Sequence, residues 1–298
     1  MADQQDPKQP TSEDISRRDF VSMTVAAGIV AAAATSVSAQ QPVMEMNVEI
    51  KTPDGTCDAA FIHPMTGAHP AVILWPDAFG LRPATRDMAK RLAAEGYSVL
   101  VPNPFYRVAK APTVEDASTF NFADPAQRSK LGPLMGSIGA DGAAEKDATA
   151  FVAWLDTQRA VDRTKKIGTQ GYCMGGPLVV RTAATVPDRI GAGASFHGGG
   201  LVTDQPNSPH LLAPKIKARM YFGIASNDDM QQPDAKTKLK DAFAAAKVPA
   251  EIEVYSMSVH GWCVPDMPKQ ANGQPTYNKP DADRAWGKLL ALYKAALV

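Results

Sequence analysis

The sequence predicts an α/β fold, a mostly parallel central sheet with helices on both faces. Two observations carry that expectation. From residue 70 onward, short apolar runs alternate with segments of helical period, the pattern of strand–helix–strand units that bury a parallel sheet under two helical layers. In addition, one predicted strand runs straight into a glycine-rich turn and an apolar helix, the strand–turn–helix step from which parallel α/β sheets are built.

The first 39 residues are expected to be an address rather than part of the fold. Arg17-Arg18 precede an Ala/Val-rich stretch that ends Val37-Ser38-Ala39 before Gln40. A twin arginine, a short apolar segment and a small-x-small site resemble a bacterial Tat signal peptide cleaved after Ala39. The apolar stretch is shorter than the ~20 residues of a membrane-spanning helix. Export to the periplasm or cell exterior is therefore expected, with no membrane attachment after cleavage. Residues 40–298 are then one domain, a size at which α/β folds are routinely single.

Alternation from Val43 to Ile50, the turn Pro53-Asp54-Gly55-Thr56 and a second run from Cys57 to His63 predict an antiparallel hairpin at a sheet edge. Further strands are expected at 71–75, 97–101, 166–170, 190–196, 219–224 and 250–255, and helices near 85–95, 141–158, 233–247 and 281–297. In 141–158, Ala144, Ala148, Phe151, Val152 and Leu155 share one face, as an amphipathic helix requires. Between Pro102 and Gly139, prolines 104, 112, 125 and 133 interrupt every periodicity. An irregular insertion is expected there, of the kind that forms lids and substrate walls.

Composition excludes several classes of function. Lys plus Arg and Asp plus Glu number 31 each, which leaves no positive field to hold nucleic acid or an anionic membrane. Cys57, Cys173 and Cys263 have no C-x-x-C spacing and cannot all pair, so at least one thiol is expected to be free and a disulfide framework is not expected. The five histidines show no paired ligand spacing, so no metal is expected.

The predicted strand 166–170 enters Gly171-Tyr172-Cys173-Met174-Gly175-Gly176-Pro177, with Cys where G-x-S-x-G enzymes carry Ser. The glycines let strand and helix approach closely around a strained nucleophile, and the helix N-terminus favours a thiolate. A buried structural cysteine would need no glycine on both sides. Gly193-Ala194-Ser195 lacks a closing glycine, so no serine elbow competes. His260 follows the last predicted strand and is the candidate base; nucleophile, acid, histidine is the chain order of α/β-hydrolases. The acid should lie in the loop after strand 219–224, where both Asp228 and Asp229 stand.

From about Pro53 onward the chain resembles the dienelactone hydrolase family. The likeness is densest at Trp75-Pro76-Asp77-Ala78-Phe79-Gly80-Leu81, Gly96-Tyr97, Pro102-Asn103-Pro104-Phe105-Tyr106, Gly171-Tyr172-Cys173-Met174-Gly175-Gly176 and His260-Gly261. It implies an α/β-hydrolase fold and a Cys nucleophile. It also implies an acid four residues before a proline, which with Pro233 favours Asp229 and leaves Asp228 as the alternative. The backbone N–H groups of Ala78 and Met174 are the implied oxyanion hole, each donor worth about 3 kcal/mol in the transition state. Asp77 takes the place of the acidic residue that holds the resting thiol.

The family also holds a substrate carboxylate with arginines. Arg107 is the candidate for one, but the chain after His260 reads Gly261-Trp262-Cys263-Val264-Pro265-Asp266 with no arginine. An anionic dienelactone is therefore not the expected substrate. Trp262, Phe105 and Tyr106 are expected to wall an apolar pocket, and His197 to line the site. The implied reaction is carboxymethylenebutenolidase-like hydrolysis of a small-molecule ester or lactone without a cofactor. The alternatives are a thioesterase or acyltransferase on the same triad, or a non-catalytic binding or thiol redox protein using Cys173 and Cys263.

Overall fold

A computed structural model describes residues 41–298; the signal-peptide expectation for residues 1–39 lies outside the described residues. The predicted hairpin is β1 (Val43–Thr52) and β2 (Gly55–Pro64), antiparallel, with β1 at the sheet edge. β2 pairs antiparallel with β4 (Ser98–Pro102), which lies parallel to β3 (Ala71–Trp75). β3 is followed in space by β5 (Ile167–Tyr172), β6 (Ile190–Phe196), β7 (Arg219–Ala225) and β8 (Ala250–Tyr255), all parallel. The order β1-β2-β4-β3-β5-β6-β7-β8 reverses direction beside β3. That reversal lies between β3 and β5, and open α/β sheets hold their ligands outside the carboxyl ends of the strands at such a point.

Helices cover both faces. α1 (Pro83–Ala94), α2 (Pro125–Gly139), α3 (Ala143–Leu155) and α4 (Gly175–Thr185) are followed by the short α5 (Ser226–Gln231), then α6 (Ala235–Ala245) and α7 (Lys279–Leu297). Successive strand residues point to opposite faces, so Ile73 and Trp75 join the core of Phe151, Leu155, Val179 and Phe243 from α3, α4 and α6. Val72 and Leu74 join the opposite core, with Ala89 and Leu92 of α1 and Leu289 and Tyr293 of α7. Trp75 satisfies its buried indole N–H on Thr182 Oγ1 at 3.1 Å.

The insertion after β4 is more regular than its prolines suggest, because it contains α2. Asp124 caps this helix by accepting from the Ala126 N–H at 2.8 Å. Pro125 occupies the first turn, where its missing N–H costs nothing. Leu131, Leu134 and Ile138 turn inward despite Pro133 within the helix. The Asp-Pro start was the sequence signal for it.

Phe151 is completely buried and meets Trp75 at a ring-centroid distance of 5.7 Å. Phe151→Ala should therefore lower unfolding free energy by about 3–5 kcal/mol in a urea titration; a loss under about 1 kcal/mol would contradict this account of the core.

Candidate active site

β5 ends at Tyr172, and Cys173 turns the chain into α4 with φ at 52°. A non-glycine residue in this region is strained and needs support from its surroundings. The glycines supply part of it by removing bulk. A Cβ on Gly171 would lie 2.2 Å from the Gly175 carbonyl oxygen, and one on Gly175 would lie 2.5 Å from that of Trp75. Helix α4 thus sits directly against the ends of β3 and β5. Cys173 and Met174 are half-buried, as is Ala78, whose neighbours Asp77 and Phe79 are buried. Among the described residues neither the Ala78 nor the Met174 amide has a protein acceptor.

His260 stands in the turn after β8. Its Nδ1 lies 2.8 Å from Asp228 Oδ2, and its backbone N–H donates to Asn227 Oδ1 at 2.8 Å. Ser226 fastens the two loops together, its N–H and hydroxyl both donating to the Ser258 carbonyl at 2.9 Å. Burial would favour the neutral ring, but Asp228, hydrogen-bonded to Nδ1, and the neighbouring Cys173 outweigh it and push the His260 pKa up to about 10.

The expectation for Asp229 is corrected here. Residues 226–231 form the helix α5 rather than an open loop, so adjacent side chains diverge by roughly a quarter-turn. Asp228 faces His260, whereas Asp229 binds Lys236 Nζ at 2.7 and 2.8 Å.

Asp77 does not reach toward the thiol either. Its carboxylate accepts both terminal nitrogens of Arg82, at 2.8 and 2.9 Å, and the Phe79 N–H at 2.9 Å. Arg82 uses Nε and its second terminal nitrogen on Asp266, both at 2.7 Å. The guanidinium is fully buried. Burial alone would weaken its charge, yet Asp266 and Asp77 raise its pKa above the ordinary value. Asp266 also accepts from the Ala117 N–H at 3.4 Å. One arginine thereby ties together the loop carrying Ala78, the segment after His260 and the insertion after β4. No local motif marks this pairing, whose partners lie 184 positions apart.

Three further expectations are relocated. Arg107 binds Asp54 at 2.9 Å and the buried Asp147 at 2.7 Å, and Tyr106 donates to Asp147 at 2.8 Å. Both therefore brace the β1–β2 turn against α3. Phe105 and Trp262 are completely buried, Phe105 beneath Gly80 and Trp262 stacked on Tyr255. His197 is likewise completely buried, so it underlies the site rather than lining it. The aromatic wall comes from the insertion and the segment after His260. Phe120, Phe122, Val259, His260 and Met267 border a groove of about 450 Å³, with Phe79, Phe120 and Phe122 packed ring to ring.

Cys263 lies elsewhere. It borders an apolar cavity of about 260 Å³ between α1 and α7, with Tyr172, Phe196 and Trp286, and neither Cys173 nor His260 lines that space. Burial and the charge of Asp77 push its thiol well above the ordinary value. Among the described residues no group of three or more His, Cys, Asp or Glu is placed to hold a metal ion.

Sheet order, elbow and histidine-bearing turn define an α/β-hydrolase. Solved structures share this fold, among them the dienelactone hydrolase-like promiscuous phosphotriesterase P91 from metagenomic libraries, with a TM-score of 0.69 and 23% identity over 86% of this chain and 99% of that one. The dienelactone hydrolase of Anabaena variabilis gives a TM-score of 0.58 at 16% identity, again over 86% and 99%. In sequence, the carboxymethylenebutenolidase of Rhodococcus opacus is 27% identical over 237 residues, 77% of this chain and 86% of the relative. The dienelactone hydrolase family matches residues 57–297, and the chain belongs to that family. It is a hydrolase of the ester or lactone type.

Replacing Arg82 with Met leaves two carboxylates without their buried partner and should cost about 3–5 kcal/mol of stability, read as a lowered midpoint in chemical denaturation. His260 contributes a pH dependence of known sign. Its folded pKa of about 10 exceeds the ordinary 6.5, so its contribution is complete below pH 6.5 and is lost as pH rises through 10. Thermal unfolding should show an alkaline fall in midpoint that is shallower in His260→Gln; identical profiles would contradict the assignment.

Proposed function

We propose that the chain hydrolyses an uncharged ester or lactone through a Cys173 nucleophile, with His260 as acid and base and Asp228 orienting it. The observation that carries this reading is the 2.8 Å hydrogen bond between His260 Nδ1 and Asp228 Oδ2, together with Cys173 at the apex of a φ 52° elbow. A protonated His260 beside Cys173 favours attack by the thiolate on the substrate carbonyl. The oxyanion would accept from the Ala78 and Met174 amides. His260 then gives its proton to the departing alkoxide, later takes one from water, and that water releases the acid from the thioester and restores Cys173.

The uncharged substrate class is supported by the engagement of Arg82 and Arg107 with two carboxylates each, while Phe120, Phe122 and Met267 share the groove lining with Asn121, Lys269 and Gln270. The raised thiol of Cys263 weighs against a redox pair with Cys173. The Arg17-Arg18 pair and Val37-Ser38-Ala39 support export, which predicts Gln40 as the first residue of the exported protein by N-terminal sequencing.

With a chromogenic acetate ester, Cys173→Ala should abolish turnover, and wild-type turnover no greater than that of Cys173→Ala would overturn the reading. Asp228→Asn should lower kcat by at least about 100-fold, given that the corresponding acid of a serine triad contributes about 10⁴. Asp229→Asn should leave kcat within about threefold. The reverse order would restore Asp229 as the acid.

A further inference from the structure

The β5–β6 ladder ends with Tyr172 opposite Phe196, one residue before the strained Cys173. The Cys173 N–H is shared there between two acceptors, the Phe196 carbonyl and His197 Nδ1, each at 3.1 Å. His197 is itself in the left-handed region, at φ 41°, and its own N–H is fixed on the Gly223 carbonyl of β7 at 2.8 Å. The ring is completely buried and lies edge-on to His260, with centroids 4.8 Å apart, and to Trp262 at 5.2 Å.

An N–H can donate only to a lone pair, so Nδ1 must be unprotonated and the ring's hydrogen resides on Nε2. Burial, reinforced by the charge of His260, keeps the ring neutral. Nε2 has no hydrogen-bond partner among the described residues. A buried donor left in that state is costly, and an apolar side chain filling the same space would avoid the cost. The Nδ1 acceptor is what the imidazole offers in return.

We propose that His197 is a positioning residue, a neutral imidazole whose Nδ1 holds the Cys173 amide while its edge supports the His260 ring. The side chain thereby sets the direction of the Cys173 thiol toward His260 without touching substrate. The inference rests on the reading of Cys173 as nucleophile.

Three variants separate this role from simple filling of space. His197→Asn restores an acceptor where Nδ1 stands and tolerates positive φ. His197→Gly relieves the backbone but offers no acceptor, and His197→Leu fills space without one. Ester turnover is measured alongside the rate at which iodoacetamide alkylates Cys173, located by peptide mass spectrometry. Alkylation reads the thiol whether or not the ester is a substrate. Expected for both Gly and Leu is a fall of about tenfold in kcat with KM unchanged, and a similar fall in alkylation. The Asn variant should stay within about threefold of wild type in both.

Wild-type alkylation in the Gly and Leu variants, or an Asn variant as slow as Leu, would overturn the proposal. Absent turnover in the wild type, with the alkylation order kept, would instead overturn the hydrolytic reading and leave the positioning role standing. If Leu does not fold, Asn against Gly alone decides.

Discussion

The conformation of Cys173 constrains much of what surrounds it. At φ 52° a side chain is held outward at the end of a strand, and an L-residue keeps that conformation only under external restraint. The restraint is applied from several directions. Gly171 and Gly175 admit the α4 backbone, Gly176 brings it beside Gly198 and Ser195, and the Cys173 N–H is captured by the end of β6. Two separate cores, one on either face of the sheet, pack against the strands that make these contacts. Local strain at one residue is thus supported by packing that extends over most of the domain.

Arg82 plays a comparable part for the loops. A buried guanidinium between two carboxylates leaves one net negative charge, and a pair desolvated to this degree is tolerated only with near-ideal geometry. The two bidentate forks meet that requirement. The benefit is geometric. Ala78, the turn bearing His260 and the segment leading to Phe120 and Phe122 are held in fixed relation although they are remote in sequence. The same engagement removes Arg82 from any role in gripping a substrate anion, as Asp54 and Asp147 remove Arg107.

The fold was legible in the sequence nearly element by element, since strands buried on both faces and amphipathic helices have strong periodic signatures. The Gly171 to Gly176 turn and the position of His260 were legible for the same reason, because both depend on local sequence. The choice between Asp228 and Asp229 was not. It depends on whether residues 226–231 coil into a helical turn, and a spacing to Pro233 carries no information about which side chain faces His260. Asp77 was misplaced because its partner is Arg82, and Arg82 is committed in turn by Asp266; side-chain pairings at such separation leave no periodic trace. The aromatic wall was assigned to Trp262, Phe105 and Tyr106 instead of Phe120 and Phe122 because hydrophobicity alone does not distinguish a buried ring from one facing a groove.

The Arg82 forks also bear on how the site comes into existence. Its parts are drawn from residues 77 to 266, and the parallel strands between them pair only through crossovers. Contacts of that separation carry a larger loop-closure cost than those of the local helices and the hairpin. During synthesis the thiol of Cys173 emerges well before Asp228, His260 and the carboxylate of Asp266. A ribosome-bound chain therefore exposes Cys173 before Asp228 and His260 have been made, and their arrangement around it is a property of the finished domain alone.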